Sequence, residues 1–311
     1  MTLNFLEIAE AYKNRTIAPN DKRIKEVESM IRSMASTEDG RTEIAELIGI
    51  YLQNTMPFVD IAPFITDSRH FNYGERPEFR LKKKGIKAYW IAPNSSTPKS
   101  RNYQETLGMD FETVSVRPEC LLDDLKSGRL GTLQEIMRDA QEALRIAICE
   151  KVYTILGQVY NETSNPEYAT VMSQKLAKES LEEVIDKVVY RTGNRAVIIG
   201  DQMLTNQIMG FDGFTPEAQE EIRKTGSIGY FRGARIIGTP KMIDEANNNK
   251  VVVPNNRLFV VCDKIGYSAT YGENKTGQET SIEDWTWNAR IDTEYGLVVT
   301  KPEGIHVIDI K

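Results

Sequence analysis

Histidine is nearly absent. His70 and His306 are the only two in 311 residues, so a His-based catalytic triad or a His-rich metal site has almost no material. His306 lies in GIHVIDI, a strand-like stretch with no partner motif, and reads as a packed residue. Cysteine is scarce as well: Cys120, Cys149 and Cys262 show no CxxC spacing. That removes the common zinc and redox motifs and fits a reducing compartment. No run of 18 apolar residues exists, which excludes a transmembrane helix. The first residues, MTLNFLEIAEAYKN, lack the charged and apolar regions of a signal peptide, so maturation in a cytosol is expected. There is no P-loop, GxGxxG, HExxH or EF-hand loop. AVIIGDQM (196–203) has the strand-then-helix shape of a nucleotide-binding turn but not its glycines, and reads as a plain βα connection. No catalytic residue, cofactor or metal ligand is expected.

What is present is patterned. NDKRIKEVESMIRSM offers Asn20 or Asp21 as a cap and puts Ile24, Val27, Met30, Ile31 and Met34 on one helical face. GRTEIAELIGIYLQ repeats the pattern through Ile44, Leu47, Ile48 and Tyr51. The strongest helix signal is 129–157. Thr132 and Glu135 form a capping box, an apolar stripe runs from Leu133 to Leu156, and Gly157 reads as a stop. About 25 helical residues span roughly 37 Å, the length of a spine. SLEEVIDKVVYRTG reads as a second helix with a Ser180/Glu183 box and Gly193 as its stop. Short strands (AVII, GYFRGARII, KVVV, NRLFVVC) and short helices, one opening at Pro216, make 161–284 a compact α+β unit. Residues 284–310 alternate as two strands divided by Lys301-Pro302. MDFETVSV (109–116) is the natural sheet partner for both.

Charge is distributed unevenly. The chain carries -6, yet 76–101 holds eight cations (Arg76, Arg80, Lys82, Lys83, Lys84, Lys87, Lys99, Arg101) and one acid, Glu78. That stretch is at +7 and the rest therefore at -13, a basic arm on an acidic body. It reads as two strands around a long polar loop, WIAPNSSTPKSRNY, that holds no catalytic side chain.

This order of elements resembles the major capsid protein of tailed double-stranded DNA bacteriophages, the Hong Kong 97 fold, over about 57–311. The resemblance rests on DFETVSVRPECLLDD running into the spine helix, on EEVIDKVVYRTGNRAVIIGDQM, on GARIIGTPKM followed by NNRLFVVCD, and on the closing EYGLVVTKPEGIHVI. It implies an α+β subunit in four parts. These are an N-terminal helical arm (1–64), an extended hairpin or E-loop (65–108), a P-domain strand and spine helix (109–160, completed by 285–311), and an axial A-domain (161–284). The function it implies is self-assembly through pentamers and hexamers into an icosahedral capsid. Portal and scaffolding proteins would be partners, with double-stranded DNA packaged without sequence-specific contact and no membrane. Assembly would take place in the host bacterial cytoplasm. The E-loop cations would lie over a neighbouring subunit, with Asp110, Glu112, Glu119, Asp123 and Asp124 as the acids to meet them. Some relatives cross-link an E-loop lysine to an asparagine; Lys99, Asn288 and Glu294 lie in those segments without a clean match in spacing.

Three other readings compete. An encapsulin nanocompartment would use the same fold around a cargo enzyme. A nucleic-acid-binding protein would use the lysine hairpin with Tyr89, Trp90 and Tyr103 as stacking groups, against the acidic body. An enzyme would need titratable groups converging in a pocket. Lys82 to Lys84 also fit a solvated strand edge that discourages aggregation.

Overall fold

The computed structural model describes residues 22–55, 61–83, 103–160, 165–173, 175–212, 214, 220, 229–244 and 250–311. Helices α1 (Lys22–Ala35) and α2 (Glu38–Thr55) come first, then a single turn, α3 (Ala62–Ile65). β1 (Thr66–Phe71) is followed by a hairpin of β2 (Glu78–Lys83) and β3 (Tyr103–Gly108), then by β4 (Glu112–Val116) and β5 (Glu119–Leu121). A short α4 (Leu122–Lys126) leads into the spine, α5 (Leu130–Val159). β6 (Ala169–Met172), α6 (Lys178–Thr192), β7 (Ala196–Asp201) and α7 (Gln202–Gln207) come next. The short strands β8 (Tyr230–Phe231), β9 (Ala234–Thr239), β10 (Ile243–Asp244) and β11 (Lys250–Val251) precede four long or central ones. These are β12 (Arg257–Cys262), β13 (Gly266–Thr280), β14 (Thr286–Val299) and β15 (Ile305–Ile310).

Two main sheets result. One runs β1-β13-β14-β4, with β5 also paired to β14; the other runs β6-β15-β12-β7-β9-β8. AVIIGD and RLFVVC occupy the middle of the second sheet because they are apolar without alternation, and Leu258 to Cys262 are all at 0% exposure. The spine touches β4 of one sheet and β15 of the other. Its Tyr153 donates to or accepts from Thr239 Oγ1 at 2.7 Å and lies 5.8 Å from the Phe259 ring. Helices α1 and α2 belong to the same buried cluster, through Ile24, Val27, Ile31, Ile44, Ile48 and Leu52. Met30, expected on the buried face of α1, is 43% exposed.

Several expectations are corrected. The spine runs from Leu130 to Val159, with Arg129 as N-cap and no side-chain cap. Thr132 therefore lies inside the helix, since Leu130 at 1% exposure buries the first turn. Gly157 does not stop it. The chain turns only at Tyr160, whose ring stacks on Tyr168 at 4.3 Å. In α6 the cap position is Ala177, without a side-chain bond, and Glu183 pairs with Lys187 instead of closing a box. Gly193 does end that helix, at φ 67°. The two closing strands do not share a sheet: β14 pairs with β4, whereas β15 pairs with β12 and β6. Residues 266–280, placed by sequence in the compact unit, form a 15-residue strand of the first sheet. Asn20, Asp21 and Pro216 lie outside the described residues.

His306, 1% exposed, is held by Thr170 Oγ1 at 2.8 Å from its Nε2. Burial lowers its pKa from 6.5 to about 4, with Arg191 and Lys187 of α6 pushing the same way and Glu183 opposing. The unfolded chain takes up this proton below about pH 6.5, whereas the folded chain resists until about pH 4. Acidification across that window therefore favours unfolding, by up to about 3 kcal/mol. Urea unfolding at stepped pH is expected to show a shallower stability loss between pH 6.5 and 4 for His306→Gln than for wild type. Parallel curves would refute the assignment.

Candidate assembly surface

The hairpin of β2 and β3 is seated on its own subunit. Phe79 is 1% exposed and centres a small second core with Met109 and Ala269, separate from the main one. Its ring stacks on Tyr267 at 4.2 Å and meets Phe71 edge-on at 5.5 Å, while the Arg69 guanidinium stands 5.3 Å from its centroid. The root of the hairpin is thus packed against its own subunit. Two glycines make room for the flanking chain. A Cβ at Gly272 would stand 2.3 Å from the Tyr73 ring, and one at Gly296 would stand 2.7 Å from Met109 Sδ. Tyr73 also donates to the Glu273 carbonyl at 3.1 Å, and the Met109 N–H to that of Pro77 at 3.2 Å.

Of the expected cations, Arg76 is exposed just before the hairpin. Arg80, Lys82 and Lys83 stand in β2 opposite Thr106, Gln104 and Tyr103 of β3. Lys84, Lys87, Lys99 and Arg101 lie outside the described residues.

The expected acids separate into two groups. Asp110 and Glu112 lie near the hairpin root, and Glu112 is engaged by Lys151 Nζ at 2.7 Å. Glu119, Asp123 and Asp124 are exposed near the opposite end of β14, where β5 pairs with Thr286 to Asn288. Between them the open face of the sheet satisfies its own charges, through Lys275–Glu294, Arg290–Asp292 and Arg117–Glu279. Asn288 is 8% exposed and accepts from Arg117 Nε at 2.8 Å. Of the three side chains considered for cross-linking, Asn288 is paired with Arg117 and Glu294 with Lys275, and Lys99 lies outside the described residues.

Sequence reasoning missed the aromatic seat and a second feature. The turn 281–285 and β5 expose Leu121, Ile282 and Trp285. The Phe79 signal was available as a lone aromatic in the alternating EFRLKK. Trp285 had no period to mark it. Among the described residues no group of three or more His, Cys, Asp or Glu could hold a metal, and no helix is long and apolar enough to cross a membrane.

A family model described as "SPbeta prophage-derived putative capsid protein YonB" matches residues 42–309. Among solved structures, the chain is similar to one from Microbacterium phage Oxtober96, at 10% identity and TM-score 0.56, covering 81% of this chain and 91% of that one. A chain from Gordonia phage Cozz matches at 13% identity and TM-score 0.53, over 83% and 86%. The capsid structure of cyanophage P-SCSP1u matches at 11% identity and TM-score 0.50, over 81% and 88%. At these identities the likeness is one of fold. No curated protein matches the sequence.

Proposed function

This chain belongs to the YonB capsid-protein family and has the Hong Kong 97 type of fold, and from that premise we propose how it builds a phage shell. Subunits associate as pentamers and hexamers, which together close an icosahedron. Residues 65–108 serve as the E-loop and cross a neighbouring subunit. Helices α1 and α2 form the N-terminal part, packed on this subunit's own core. Residues 109–160 with 266–299 form the P-domain around the spine. The six-stranded sheet with α6 and α7 forms the A-domain near the symmetry axes. Portal and scaffolding proteins complete the particle, which assembles in the host bacterial cytoplasm.

The observation that carries this reading is the seated hairpin: a two-stranded arm with a cationic sequence, rooted firmly on the subunit yet leading to a tip with no catalytic group. The acidic body suits a container for DNA. A strongly basic wall would hold phosphates and resist packaging, so the genome is enclosed without sequence-specific contact. Purified protein is expected to show rings of five or six and closed shells by negative-stain microscopy. Sedimentation giving only monomer or dimer at high concentration, with and without a scaffolding partner, would overturn it.

A further inference from the structure

Among the described residues, six side-chain nitrogen or oxygen atoms are buried without a hydrogen-bond partner in the chain. Three of the six lie on one face of one pair of strands: Gln278 Oε1, Thr280 Oγ1 and Trp287 Nε1. Register brings them together. Thr280 stands directly opposite Trp287 in the β13–β14 ladder, and Gln278, opposite Ala289, is two residues back on the same side. Side chains directly opposite start about 4.5–5.5 Å apart and diagonal ones about 7–8 Å, within reach of a glutamine and an indole.

The shared face looks inward. Lys275, Gly277 and Glu279 are exposed on the other side of β13. On the inner side Asn274 donates to the Gly49 carbonyl of α2 at 2.9 Å, and a Cβ at Gly49 would stand 2.4 Å from Thr276 Cγ2. Gln278 and Thr280 continue that row, and Trp287 is at 0% exposure within the main core. Its cross-strand neighbour on the other flank, Cys120 of β5, does not take the indole proton either. A buried polar group left unpaired costs more than a hydrogen bond usually returns. Three at one place call for a common partner.

The chemistry of the three atoms selects that partner. An indole N–H only donates, an amide oxygen only accepts, and a hydroxyl oxygen can accept as well. The partner must therefore take one proton and give two. A metal cation cannot take the indole proton. An anion without protons cannot give one to the oxygens. A serine or threonine hydroxyl has a single O–H. A water molecule matches, and about three bonds is the usual number for a buried one. We propose that Gln278, Thr280 and Trp287 form the binding site of one structural water. It fastens the far half of β13, where the polar sequence ENKTGQET offers no apolar stripe to do so. The site lies under the last rung before the turn 281–285, which the Ser281 N–H closes by donating to the Thr286 carbonyl at 2.9 Å. The inference concerns the subunit alone and does not depend on the shell reading.

Two measurements on the full chain test it. A density map sharp enough to show ordered water, of the free subunit or of an assembly, is expected to hold a peak about 2.7–3.2 Å from all three atoms. A map without that peak overturns the proposal, as does one in which the indole N–H donates straight to Thr280 Oγ1 or Gln278 Oε1. The second measurement is a thermal-unfolding cycle with near-isosteric changes, Thr280→Val and Gln278→Met. Each is expected to lower the midpoint by roughly 2–4 °C. The double variant is expected to lose clearly less than the sum, because either change alone already loosens the one water that serves both oxygens. Losses that add in full would mean that the two oxygens act separately, and would overturn the shared site.

Discussion

Leu144→Ala and Ile148→Ala are each expected to destabilise the subunit by about 2–5 kcal/mol and to yield insoluble protein, not shells of altered geometry. Both side chains are 2% exposed in the middle of the spine. The spine is the element shared by the two sheets, so its mid-stripe positions have no alternative surface to collapse onto. Ile148 is the more sensitive of the two. It lines an open pocket of about 250 Å³ between α3, β1 and β13, and another of about 360 Å³ between β4, β14 and the spine. The cost of a core deletion grows with the cavity left behind. A domain holds only about 5–15 kcal/mol in total, so either loss is a large share. The measurement is soluble yield together with urea unfolding of whatever remains soluble. Two soluble variants with wild-type midpoints would contradict the placement of these residues.

The spine was legible because its signal is local and long. Ten apolar positions repeat at helical spacing, and most of them are buried: Leu133, Ile136, Met137, Ala140, Leu144, Ile148, Val152 and Leu156. Its ends were not legible, because Tyr160 and Leu130 are held by packing that no capping pattern records. β7 and β12 were legible for the same reason as the spine, as unbroken apolar runs.

β13 was opaque. ENKTGQET is polar on both faces, and what it meets is polar too: Asn274 donates to the Gly49 carbonyl of α2 at 2.9 Å and accepts from Thr293 at 2.8 Å. A strand held by such contacts leaves no hydrophobic period to read. The cationic hairpin was legible as charge, yet its seat was not. The seat depends on Gly272 and Gly296, residues whose role is to be small where another segment approaches from far along the chain.

That seat is where the second large effect is expected. Phe79→Ala should leave the main core folded and release the hairpin. Phe79 belongs to the small core, with Met109 and Ala269, and the main cluster does not include it. Removing a buried phenylalanine costs about 3–5 kcal/mol. Here that cost falls on the docking of one element, because a two-stranded hairpin is marginal by itself in water. Local opening then sets the exchange of its amides. Hydrogen exchange at 78–83 and 103–108 is expected to quicken by roughly 10²- to 10³-fold, while β12 and β15 keep their protection. Phe79→Leu, which restores part of the bulk under Tyr267, is expected to fall between. Assembly should fail in proportion, since an arm without a fixed direction must be ordered again at every contact, and ordering even one residue's backbone costs about 1–2 kcal/mol. Unchanged exchange in the hairpin of Phe79→Ala would show that something other than the aromatic seat holds the arm. Lost protection with normal shells would show that its direction is set by the neighbour instead of by its own subunit.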